Sequence, residues 1–135
     1  MVNIHFSIDL DLFIKLIPIL IIGIGITYTL NLIFGYITFY TTESSYVWMF
    51  TAGIGFLFSG SALPISFFPH VMQGIVKLNP FRYTFSLPAE LLFNKLTQED
   101  YIKGLLIGSF WFILLLVIAK IVWKNGLKKY TAYGS

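Results

Sequence analysis

Apolar residues in this chain gather into long runs with few interruptions. Leu16 to Thr42 holds no Asp, Glu, Lys or Arg; from Ser44 to Val76 only His70 could carry a charge; Gly104 to Ala119 is again uncharged. A helix rises ~1.5 Å per residue and the hydrocarbon core of a bilayer is roughly 30 Å thick, so about 20 apolar residues make one crossing. The pattern predicts an all-α integral membrane protein of about three transmembrane helices, over residues 16–41, 46–63 and 101–123. In the first run, each Ile, Leu and Phe contributes about −0.3 to −0.6 kcal/mol at mid-membrane, which leaves room for Pro18 and Asn31.

The segments between the runs read differently. Val2 to Leu12 alternates strictly between apolar and polar residues, which suits a strand or an amphipathic segment on the membrane surface, and residues 1–15 are expected to lie outside the membrane. Residues 64–100 contain Pro64, Pro69, Pro80 and Pro88. These breakers predict a proline-broken re-entrant or interfacial helical hairpin before the last span. Within it, Val71, Met72, Ile75 and Val76 share one helical face opposite Gln73 and Lys77, and Asn79-Pro80 ends that piece. Ser86 is the expected cap of a further helix reaching about Lys95, and Thr97 with Asp100 resembles a capping box ahead of the last span.

Composition supports the membrane assignment. The 135 residues are 57% hydrophobic and 11% charged, too apolar for a soluble domain to cover with a polar surface. The net charge of +3 is modest. Part of it lies near the C-terminus, where Lys120, Lys124, Lys128 and Lys129 follow the last acid, Asp100. With Trp123 these lysines are expected to anchor residues 124–135 at a lipid interface, and no nucleic-acid partner is expected. There is no cysteine, so thiol chemistry and disulfides are excluded. The start of the chain lacks the basic, short-apolar and small-residue order of a secretory signal, so the first apolar run is expected to remain in the mature protein.

Candidate functional positions are sparse. Gly23, Thr27, Asn31 and Gly35 recur every four residues on one side of the first span, and Ala52, Gly55, Ser59, Ala62 and Ser66 form a small-residue stripe on the second. Such faces let helices approach closely, or they line a path for a substrate; Asn31 should face protein or water. Gly104 and Gly108 form a G-x-x-x-G pair in the last span. His5 and His70 have no partner at metal-ligand spacing, Glu99 and Asp100 read as helix-start residues, and no phosphate-binding loop occurs. Catalytic, cofactor and metal sites are therefore not expected. Apart from Lys103 and Lys120, which lie near the ends of the last span and can snorkel to the interfaces, the spans hold no Asp, Glu, Lys, Arg or His, which favours a passive pathway driven by another subunit over a proton-coupled carrier.

The stretch FLFSGSALPISFFPHVMQGIVKLNPFRYTFSLPAELL, Phe56 to Leu92, resembles the second-half signature of type-2 ABC transporter permeases. The order is a small-residue helix, a proline, an aromatic-proline segment, a PFRY turn and a proline-started helix. FYTTE after the first span and the closing WKNGLKKYTAYG agree with it. The resemblance implies the permease component of an ATP-driven exporter, a separate ATPase (nucleotide-binding) subunit, and a bacterial inner membrane location with a cytoplasmic C-terminus. It covers only the last three of six family helices, so a second permease subunit or the missing N-terminal half is an expected partner. The alternative is a small structural or regulatory membrane protein that binds other helices through its small-residue faces. Lysine and arginine counts tie between the two sides, and the denser cluster from Lys120 onward favours the C-terminus inside.

Overall fold

A computed structural model describes residues 10–37, 44–61 and 67–132. These are helical with short connections: α1 (Leu10–Ile37), α2 (Ser44–Phe58), α3 (His70–Leu78), a 3₁₀ turn (Pro80–Thr84), α4 (Ser86–Leu92) and α5 (Gln98–Ala132). Only α1 and α5 are both long and apolar enough to cross a bilayer, while the 15 residues of α2 extend about 22 Å. Their outer faces, including Ile14, Ile17, Ile21 and Ile24 on α1 and Leu106, Phe110, Ile113 and Val117 on α5, are exposed and apolar. Such surfaces belong against lipid.

α1 and α5 run parallel. Tyr101 donates its hydroxyl to the Lys15 carbonyl at 3.2 Å, Gly108 faces Ile22, Gly25 faces Phe112, and Tyr36 packs on Trp123 with ring centroids 4.9 Å apart. The contacts keep the same order along both helices. Ile19, Ile26 and Ile33 recur at intervals of seven to form the buried seam of α1, packed with Leu115 and Ala119 of α5. Pro18 sits inside α1, one residue before this seam.

The hairpin inserts beside these two helices. Tyr83 of the 3₁₀ turn is 1% exposed and lies against Gly108, while Leu87 of α4 packs on Gly104. The G-x-x-x-G pair is thus occupied within the chain. Trp111 donates its indole N–H to the Leu78 carbonyl at 2.6 Å. Trp111 lies about midway between Lys103 and Lys120, some 12 Å along α5 from Lys103. The end of α3 therefore reaches the middle of α5's apolar stretch.

Several local details depart from the sequence reading. α1 starts at Leu10, so Leu10–Lys15 form its first turns, and Lys15 pairs with Asp11 at 2.6 Å; residues 1–9, with His5, lie outside the described part. α2 stops at Phe58, before Pro64, where Gly60 takes a left-handed φ of 83° that suits glycine. Ser86 is the first residue of α4 and not its cap: its hydroxyl donates to Glu90 at 2.8 Å, and the helix ends at Leu92, short of Lys95. α5 continues past Trp123 to Ala132, so the basic region is helical that far. Asn79 ends α3 as expected, and its side-chain oxygen accepts the Phe81 N–H. Thr97 accepts the Asp100 N–H at 3.1 Å and donates its own hydroxyl to the Asp100 carboxylate.

Candidate functional site

Five of the nine positions in the two stripes, Thr27, Asn31, Ala52, Gly55 and Ser59, line one groove. Thr27 and Asn31 from α1, with Ala52 and Gly55 from α2 and Ser59 just beyond its end, face a space of about 390 Å³ between those helices and the 3₁₀ turn. Phe81 and Thr84 of the turn close one end, and Trp48 and Phe56 add aromatic walls. Gly23 lies one turn of α1 beyond this groove and plays a packing role. A Cβ placed there would meet the Tyr83 carbonyl oxygen at 2.6 Å, so only glycine lets the turn approach α1 so closely.

The groove is polar without being charged. The Thr27 hydroxyl donates to the Gly23 carbonyl at 2.8 Å and Thr51 to Val47 at 2.6 Å, which satisfies these donors on their own helices. Ser59 and Ser61 hydroxyls lie 2.9 Å apart at the end of α2. Asn31 differs. Its side chain makes no hydrogen bond with another described residue, is exposed, and borders both this groove and a neighbouring one that holds Gly23 and Thr27. Lipid cannot satisfy an amide, so Asn31 needs water, a polar ligand or another polypeptide at that position.

Thr51, Ser61, Phe81 and Thr84 join the groove although the sequence did not mark them. Thr51 lies one turn before Gly55 and beside Ala52, so it shares the side of α2 that carries the stripe; no local pattern brings Phe81 and Thr84 to α2. Ala62 and Ser66 lie outside the described residues, and an added Cβ at Gly35 would meet open space. Lys120 and Lys124 are exposed at the far end of α5, where Trp123 stacks on Tyr36. The side chains of Lys128 and Lys129 are outside the described part.

The hairpin holds an ion pair that sequence reasoning missed. Arg82 of the PFRY turn donates to the Glu90 carboxylate at 2.7 Å, and Glu90 also accepts from Ser86. Arg82 further reaches the Lys77 carbonyl at 3.5 Å, as does the Tyr83 hydroxyl at 3.4 Å. The two charges are eight residues apart. No helical spacing rule joins them, because the turn of the chain at Phe85 brings them together.

Two long parallel apolar helices with an inserted hairpin, and a groove lined by hydroxyls and an amide, define an integral membrane component. The profile of the family described as ABC-2 family transporter protein matches residues 1–134. The chain belongs to that family, as a type-2 ABC permease. Permeases of this family are the membrane component, not themselves catalytic, and normally work with an ATPase subunit. No curated protein and no solved structure matches the chain.

Proposed function

We propose that this chain is a permease component of an ATP-driven exporter and contributes helices to its translocation path. The groove between α1, α2 and the 3₁₀ turn carries the reading. It places several hydroxyls, and an amide with no hydrogen-bond partner among the described residues, along apolar helices, where a passing molecule is met by weak polar contacts and no fixed charge. The chain then contributes no bond-breaking chemistry. ATP hydrolysis belongs to a separate nucleotide-binding subunit, and a second permease subunit or an N-terminal half completes the path.

The parallel course of α1 and α5 supports a third crossing. Two parallel spans require the chain between them to return across the bilayer an odd number of times, and α2 is the apolar helix placed to do so. Its 15 residues leave Ser59 and Ser61 beside Phe81 and Thr84. The C-terminus is cytoplasmic in this arrangement, with Lys120 to Lys129 at the inner face of a bacterial inner membrane, and the hairpin opens outward.

The alternative, a small scaffold that binds helices through its Ala52-Gly55-Ser59 face, has less support. Gly55 faces the Phe81 ring, where an added Cβ would sit 3.6 Å from it, and Ser59 is buried. Two of the three positions are thus met from within, while Ala52 is exposed.

Co-purification with a nucleotide-binding subunit, followed by Asn31→Leu in the assembled transporter, tests the proposal. Reduced export with assembly intact is expected. Unchanged export and unchanged assembly would remove Asn31 from both path and packing, and a stable homo-oligomer without an ATPase would overturn the exporter reading.

A further inference from the structure

A second cavity of about 540 Å³ lies on the other side of the Pro80–Thr84 turn from the groove. Gly60 lines this cavity while its neighbours Ser59 and Ser61 line the groove; Arg82 lines it while Phe81 lines the groove. Its walls carry three cations, Lys77, Arg82 and Lys95, and two acids, Glu90 and Asp100.

Both acids are engaged. Glu90 has one oxygen on Arg82 and the other on Ser86, and Asp100 is held by Thr97. Lys77 and Lys95 have no ion-pair partner among the described residues, although Lys95 stands over the Phe93 ring at 5.9 Å. The Nε of Arg82 is buried and has no acceptor among the described residues. A buried donor without an acceptor is destabilising, and a bound anion or water would relieve it.

Depth sharpens the point. Lys77 adjoins Leu78, whose carbonyl meets Trp111 near the middle of α5's apolar run. An ammonium at that level needs water or an anion near it. Phe85, Ala89, Phe93 and Leu96 supply apolar wall beside these charges.

The geometry points to a binding site for an amphiphile with an anionic phosphate head. The head sits among Lys77, Arg82 and Lys95, and its apolar part rests on Phe85 and Phe93. A lipid headgroup and a free phosphate share this chemistry. Binding is read on the chain alone, so the site does not rest on the exporter proposal.

The test is calorimetric titration of the full chain in dodecyl maltoside. The probes are dihexanoylphosphatidylglycerol, inorganic phosphate, and dihexanoylphosphatidylcholine, which has no net charge. Saturable binding of the first is expected, weakened about tenfold by Lys77→Gln or by Lys95→Gln and unchanged by Lys124→Gln at the far end of α5. Both pocket lysines are exposed, so helical circular dichroism should persist in each variant. Saturation by inorganic phosphate with the same lysine dependence supports the site and names free phosphate as a source. Absence of binding by both anionic probes, equal binding of phosphatidylcholine, or indifference to the lysine substitutions would overturn it.

Discussion

Gly23→Ala is the sharpest test of how the hairpin docks. A Cβ at Gly23 would lie 2.6 Å from the Tyr83 carbonyl oxygen, with the Tyr83 carbonyl carbon and the Thr84 Cα next at 3.5 and 3.6 Å. All three are backbone atoms, so no side chain can rotate away. Ordinary contact requires the turn to retreat by about 0.8 Å, and Tyr83 against Gly108, Leu87 against Gly104 and the Trp111–Leu78 bond oppose that movement. Overpacking of this kind costs about 1–3 kcal/mol, while alanine gains about 0.8–1.0 kcal/mol over glycine inside a helix. The expected net loss is about 0–2 kcal/mol. Gly53→Ala is the matched control, because a Cβ there meets nothing within 4 Å and keeps the propensity gain. Denaturant titration in dodecyl maltoside, followed by circular dichroism, should separate the two variants by about 1–3 kcal/mol. Equal stability of Gly23→Ala and Gly53→Ala would refute the close approach of the turn to α1.

Two further outcomes follow from the polar contacts. Arg82→Ala leaves the Glu90 carboxylate, whose side chain is 27% exposed, with only Ser86; a loss of about 1–3 kcal/mol is expected. In a double-mutant cycle with Glu90→Gln, additive losses would show that the pair contributes nothing by its contact. The Thr97 hydroxyl bond holds the Asp100 carboxyl below its ordinary pKa. Its stabilising effect on the start of α5 is therefore present at neutral pH, above the unfolded-state pKa, and is lost as pH falls through the folded one. The protection factor of the Tyr101 amide, whose N–H donates to the Thr97 carbonyl, should fall in acid after correction for the intrinsic exchange rate, and Thr97→Ala should abolish that pH dependence. A protection factor independent of pH in the unaltered chain would count against it.

The sequence by itself determined what is governed by local solvation. Long uncharged runs cannot remain in water, so the helices α1 and α5 were legible from composition and spacing. So were the end of α3 at Asn79 and the capping role of Thr97, because both depend on groups within a few residues. The convergence of Thr27, Asn31, Gly55 and Ser59 was only half legible: each stripe was visible on its own helix, but their meeting across a groove was not.

Tertiary structure decided the rest. Gly60, at a backbone angle that glycine adopts readily, ends α2 before Pro64, and Ser86 serves Glu90 and leaves the capping position. The pairing of Arg82 with Glu90 depends on the chain's reversal at Phe85, which no helical periodicity encodes. The apparent absence of charge at membrane depth was a property of the spans alone. Lys77 and Arg82 lie outside the spans in sequence, and the docking of the hairpin against Gly23, Gly104 and Gly108 carries them alongside the apolar helices. Glycine spacing announced that something would pack there; only the folded chain shows that its own hairpin does so.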